Sequence, residues 1–181
     1  MGKLIFIILV LVSKVSYSAA ALPHFEVRTA PIAYLWQWYT FDFSYLINSN
    51  WAAGPSYIDY GNKSEYGNMF LPVFNGKALG AHAIWSESFV VDAYYASLHY
   101  YNEDYTSHGE GFSGHYDNTG TKANVDIGKR WIPYPNVSGM VGVGYEIYSH
   151  TQKKVSDFAP PVTTEKSSGF LHIEFKLGYF F

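Results

Sequence analysis

Ser97 and His99 stand two residues apart, so on a β-strand their side chains share a face and are neighbours. A serine beside a histidine base is the minimum for acyl transfer, because the imidazole can take the hydroxyl proton as the oxygen attacks. Here Tyr100 follows the pair, and no acid that would orient the imidazole is identifiable from the sequence. His82 and His172 are candidate metal ligands, but neither belongs to a His-Glu-x-x-His unit or another ligand spacing. Single histidines on strand faces read as hydrogen-bonded fillers, so no metal and no cofactor is expected. The stretch 103–120 gathers Glu103, Asp104, His108, Glu110, His115 and Asp117. It reads first as solvated surface, and second as a weak cation site or partner contact. No glycine-rich phosphate cradle is present. With no Cys in the chain, thiolate metal sites, Cys nucleophiles and disulfides are excluded.

These residues need elements to hold them, and the composition points to strands. The chain has 181 residues, about one domain. Aromatic residues make up 19% and charged residues only 15%, the reverse of a disordered chain. A net charge of −3 with 12 Lys and Arg gives no basic face for nucleic acid. The mean hydropathy of −0.07 excludes a helical membrane bundle. At the N-terminus Lys3, the apolar run Leu4 to Val12 and the small residues Ser16 to Ala21 form a secretory signal peptide. Nine apolar residues are too few to cross a bilayer, so cleavage is expected near Ala20 or Ala21. The expected division is residues 1–20 as signal and 21–181 as one exported domain.

That domain reads as all-β. Leu171, Ile173, Phe175, Leu177, Tyr179 and Phe181 alternate with His172, Glu174, Lys176, Gly178 and Phe180. This is period-2 patterning over eleven residues. Similar alternation runs through Tyr39–Ile47, Leu79–Trp85, Ala123–Trp131 and Val137–Ile147, while 51–61, with Pro55, and 89–102 are mixed. Splitting 25–47 near Gln37-Trp38 predicts eight strands: 25–36, 39–47, 51–61, 76–85, 89–102, 121–132, 137–149 and 169–181. Short links then alternate with the long connections 62–75, 103–120 and 150–168. Trp51, Trp85, Phe89, Trp131 and Phe181 all fall at the short-turn end as an aromatic girdle.

A last strand ending on Phe181, with Tyr179, Leu177 and Phe175 before it, resembles the assembly signal of bacterial outer-membrane barrels. Over the whole mature chain the pattern is similar to small eight-stranded barrels of the OmpX and OmpA-transmembrane type. The resemblance implies a single antiparallel up-and-down transmembrane β-barrel in the outer membrane of a Gram-negative cell. It also implies contact with outer-membrane lipid and lipopolysaccharide, and biogenesis through periplasmic chaperones and the barrel assembly machinery. Such a barrel has an interior just wide enough for side chains to fill. The expected inward polar set is Glu26, Arg28, Asp42, His82, Asp92, Lys122, Asp126, Arg130, Glu146, His172, Glu174 and Lys176. Enclosed charges near balance should pair, giving a plugged lumen rather than a diffusion pore, and a structural or surface-interaction role through the long external loops.

Two other readings remain. In this register Ser97 and His99 fall on the outer, lipid-facing half of their strand. The pair distantly resembles, in reversed order, the His-x-Ser arrangement of lipid A deacylase barrels. An enzyme acting on lipid A or phospholipid acyl chains is therefore the alternative, with Ser97 and His99 as its catalytic residues. The third reading is a soluble barrel holding an apolar ligand, as lipocalins do, against which the apolar outward and charged inward faces argue. Lys153, Lys154 and Lys166 could meet anionic lipopolysaccharide. In a bacterial barrel the N-glycosylation patterns at Asn62-Lys63-Ser64 and Asn136-Val137-Ser138 carry no meaning.

Overall fold

The structure is a computed structural model and describes residues 24–36, 38–61, 73–108, 114–156 and 159–181. The expected signal peptide and its cleavage point, Asn62-Lys63-Ser64 and Glu110 lie outside the described residues. Eight strands follow one another: β1 Phe25–Thr29, β2 Tyr39–Leu46, β3 Trp51–Asp59, β4 Val73–Ser86, β5 Ala93–His108, β6 Gly114–Tyr134, β7 Val137–Ser156 and β8 Val162–Phe180. Each pairs antiparallel with its sequence neighbour, and β1 pairs with β8 to close the ring. The split near Trp38 therefore yields two strands, and the count is eight. No helix among the described residues is long and apolar enough to cross a membrane.

The first strand is shorter than the alternation suggests. It stops at Thr29, and Pro31–Trp36 form a 3₁₀ turn. Proline brings no N–H to a ladder, and Ala33 N bonds back to Ala30 O instead. Closure of the ring thus rests on four residue pairs, from Glu26↔Phe180 to Thr29↔Leu177. Pro55 is tolerated inside β3. It faces outward opposite Ala81, where the β2–β3 register passes from Asp42↔Ser56 to Tyr45↔Ala53.

Two further expectations are corrected. The connections expected at 103–120 and 150–168 are mostly strand. β5 and β6 pair as far as Ser107↔Tyr116, and β7 and β8 as far as Lys154↔Val162. These extensions are polar on both faces, so they carry no alternation of hydrophobicity to betray them. The strand expected from Phe89 begins at Ala93. Residues 87–92 form the turn, and exposed Asp92 accepts a hydrogen bond from Ile132 N at 2.8 Å. Asp92 therefore does not belong to the interior set. Moving Asp92 into the turn shows which face of β5 points inward: Tyr95, Ser97, His99, Tyr101 and Glu103 do, while Tyr94, Leu98 and Tyr100 face out.

The outer surface carries a continuous apolar zone. Phe43, Tyr45, Leu79, Leu98, Val125, Ile127, Val143, Tyr145, Leu171 and Ile173 all project from the wall. On β8 the outward run Leu171 to Phe181 covers roughly 34 Å of strand, or about 25 Å in height at a tilt of about 40°. Trp51, Trp85 and Phe181 are exposed at the short-turn end. Phe89, expected with them, is instead 1% exposed and folds under the barrel as part of its floor.

Candidate functional site in the barrel interior

The inward faces build three tiers. At the short-turn end Leu46, Ala52, Ile84, Phe89, Met140 and Phe180 make a small apolar floor. Arg130 lies in it, its guanidinium carbon 4.6 Å from the Phe89 ring and 4.8 Å from that of Phe180. Its charge is met by Glu26, which accepts from Arg130 Nη2 at 3.0 Å and from the Ser138 hydroxyl. The planar guanidinium suits this place, stacking on rings while donating at its edge. Gly178 belongs to the same tier. A Cβ there would stand 2.4 Å from Ser138 Oγ and 2.6 Å from Glu26 Oε1, so only glycine leaves room for the pair.

The middle tier is a hydrogen-bonded relay across six strands. Arg28 Nη2 lies 2.6 Å from Ser44 Oγ and 2.9 Å from His82 Nε2. A nitrogen facing a guanidinium must accept, so the His82 proton sits on Nδ1. From Nδ1 it is donated to Ser56 Oγ at 2.8 Å, and Ser56 donates in turn to Asp42 Oδ1 at 2.7 Å. The other Asp42 oxygen meets Lys176 Nζ at 2.8 Å and His99 Nε2 at 3.3 Å. Lys176 also bridges to Glu174 at 2.6 Å, and Glu174 accepts from Tyr95 OH at 2.7 Å. Beside them Asp126 lies between His99 and His172.

The upper tier is centred on Lys122, which reaches Glu103 at 3.3 Å and Glu146 at 3.6 Å and lies over the rings of Tyr60 and Tyr101. Tyr60 donates to Glu103. Above it rings meet from one side of the mouth to the other. Trp38 touches Tyr60, Tyr60 touches Tyr105, Tyr105 touches His150, and Tyr148 lies between His150 and Phe170.

The expected interior residues other than Asp92 thus stand on the inner wall, joined by ion pairs and hydrogen bonds. Ser97 and His99 are corrected: they do not face lipid but are 4% and 1% exposed, inside. No hydrogen bond joins them among the described residues. Ser97 donates instead to Asp126 Oδ2 at 3.3 Å, and His99 meets Asp42 and Lys176. The acid on the imidazole that the sequence did not identify is thus Asp42, 3.3 Å from His99 Nε2, while Asp126, across the β5–β6 register, takes the serine proton that the imidazole would need to accept as base. Glu103, expected in a loop, belongs to the interior, as do Tyr60, Tyr95, Tyr101, Ser44, Ser56 and Ser138. The alternation Tyr95, Ser97, His99, Tyr101, Glu103 was the available signal. Of the remaining candidates, His115 and Asp117 form a half-exposed pair at 3.3 Å, and Asp104 faces outward. The His108 side chain lies outside the described residues. Phe175, Leu177, Tyr179 and Phe181 line the outer face of β8.

Compared with protein-family models, with curated proteins and with solved structures, the chain matches none.

Proposed function

We propose that the chain is an integral outer-membrane β-barrel whose lumen is plugged by side chains. Its role is structural or interactive, exerted through the strands and connections that rise beyond the apolar zone. One observation carries this: the distribution of polarity is inverted. Glu26, Arg28, Asp42 and Arg130 are at most 3% exposed, while Leu171 and Ile173 are 79% and 78% exposed. In water such a surface would be a large aggregation liability, and the enclosed charges would be costly unless paired. Against hydrocarbon the same arrangement is favourable, because a closed barrel satisfies its backbone internally and turns its apolar side chains to lipid. On this reading lipopolysaccharide surrounds the outer half. The barrel assembly machinery and periplasmic chaperones would handle the chain during export.

Fractionated cells give the test. The protein should require detergent for extraction from the outer membrane, and its electrophoretic mobility should shift on boiling. A protein that dissolves without detergent would overturn the proposal and favour a soluble barrel with an apolar ligand.

A further inference from the structure

One cation interrupts the apolar zone of the outer wall. Lys129 is exposed on the outward face of β6, between Ile127 and Trp131. Across the register stand Tyr94 on β5 and Val141 on β7, and the next outward residues on those strands are Ala96 and Val143. Among the described residues the other outward Lys and Asp side chains of β4 to β7, Lys77, Asp104, Asp117 and Lys153, stand toward the long-connection end. Lys129 makes no ion pair, hydrogen bond or ring contact with any described residue. The acids of the turn below it are engaged elsewhere: Glu87 accepts from Tyr94 N at 3.2 Å and Asp92 from Ile132 N at 2.8 Å.

An ammonium left facing hydrocarbon is costly. A lysine so placed keeps its stem among apolar groups and turns its charged end to the headgroups. The headgroup level is close. Trp131, in the aromatic girdle, lies two residues farther down β6, about 7 Å along the strand and about 5 Å in height at the tilt of such barrels. Its indole is fixed in place by Gly139 on β7, where a Cβ would stand 2.2 Å from Trp131 Cε2 and 2.6 Å from Nε1. The ring thus lies over bare backbone and reaches Phe175 on β8, with centroids 6.3 Å apart. Among the described residues neither the Trp131 indole N–H nor the hydroxyl of Tyr94, 64% exposed, has an acceptor. Elsewhere the girdle, at Trp51, Trp85 and Phe181, has no outward Lys or Arg beside it.

We propose that Lys129, Trp131 and Tyr94 bind the phosphodiester of a glycerophospholipid in the leaflet at the short-turn end. Three donors without acceptors, one of them charged, match a group that carries one negative charge and offers only acceptor oxygens. The acyl chains of that lipid would lie along Ile127, Val141 and Val143. The site rests on the outer-membrane reading of the barrel and adds a lipid partner on the half opposite lipopolysaccharide.

The test uses the untagged full-length protein, extracted in mild detergent and checked for its mobility shift on boiling, then titrated with phosphatidylglycerol and followed by native mass spectrometry. One phosphatidylglycerol should bind each barrel more tightly than any further lipid. Lys129→Gln should weaken that binding at least about fivefold. Trp131→Phe, which keeps a ring and removes the N–H, should weaken it about twofold. Lys77→Gln makes the same charge change beside Asp59 and Asp104 and should leave it unchanged. Neither diacylglycerol with the same acyl chains nor inorganic phosphate should displace the bound lipid. In a barrel that needs detergent and shifts on boiling, equal retention by the native and Lys129→Gln proteins would overturn the site alone. So would an equal loss in Lys77→Gln or displacement by diacylglycerol. Displacement by inorganic phosphate would make it a site for the free anion and overturn the lipid assignment. A protein that dissolves without detergent would overturn the membrane reading, and this site with it.

Discussion

Glu26→Met is the sharpest perturbation of the barrel floor. Both Glu26 and Arg130 are 0% exposed, and Arg130 is clasped between Phe89 and Phe180. Removing the carboxylate leaves a guanidinium that cannot shed its proton, with no partner and no water. Breaking a buried pair in this way costs about 3–5 kcal/mol. Ser138 loses the acceptor of its hydroxyl as well, adding about 1 kcal/mol. The two rings already lie against Arg130, so their cation–π attraction of about 2 kcal/mol is present before and after and offsets nothing. Arg130→Met strands Glu26 in the same manner and should cost about as much. The double variant has neither orphan, and two thioether side chains fit beside Met140, Leu46 and Ile84. It should fall within about 1–2 kcal/mol of the parent, because well-packed apolar replacements of buried pairs are often neutral. Reversible urea unfolding in lipid vesicles, followed by tryptophan fluorescence, measures all four corners of the cycle. A coupling energy of at least about 3 kcal/mol is expected. Additive single costs, or a Glu26→Met loss below about 1 kcal/mol, would refute the assignment of the pair as the lock of the floor.

Two further outcomes are expected. Leu98→Arg and Ile127→Arg, at the middle of the outward apolar zone, should each destabilise the barrel in lipid by about 2–4 kcal/mol. Thr119→Arg, outward on β6 but above that zone, should cost less than about 0.5 kcal/mol; equal costs in the same vesicle assay would place the lipid boundary elsewhere. His150 lies above the zone, against Tyr148. Burial, reinforced by Lys166 and opposed by Glu103, holds its imidazole below the ordinary histidine value. The unfolded chain therefore takes up this proton first. The His150 contribution is intact above about pH 6.5 and is lost as pH falls through the lower folded value. Histidine-resolved NMR titration should find that low value, and His150→Phe should flatten the acid-side loss of stability.

The strand count and most interior residues were legible because a charged side chain at every second position between apolar ones has few places to go. Lys176 between Phe175 and Leu177, or Arg28 between Val27 and Thr29, can only face the lumen. The inward face of β5 was not legible for a matching reason. Tyr95 and Tyr101 point in, while Tyr94 and Tyr100 point out, so tyrosine marks neither face. A single acid, Asp92, then decided the parity wrongly, because the turn before β5 is longer than its composition suggests. A slip of one residue reverses every side chain of a strand, which carried Ser97 and His99 to the wrong side. Pairing across strands was never legible from one strand's pattern. That Asp126 meets histidines rather than a lysine follows from its register opposite Ser97 and Gly144.

On the proposed location, the interior network takes over what an apolar core does in a soluble protein. With lipid outside, burying Leu171 or Val143 in the bilayer favours insertion but does little to specify how the strands meet, since hydrocarbon lies on that face in any register. Specificity then falls to the ladder hydrogen bonds and to the polar contacts inside. Those contacts are exacting, because an unpartnered charge has no water to turn to. Arg28 and Glu26 on the four-pair seam of β1 reach Ser44, His82, Arg130 and Ser138 on β2, β4, β6 and β7. The shortest strand of the ring is thereby tied through the lumen to much of the opposite wall. A polar network that closes the barrel in this way cannot leave one of its acids unmet without loss, and Asp126, which has no Lys or Arg in reach, is met instead by the Ser97 hydroxyl and by the imidazoles of His99 and His172.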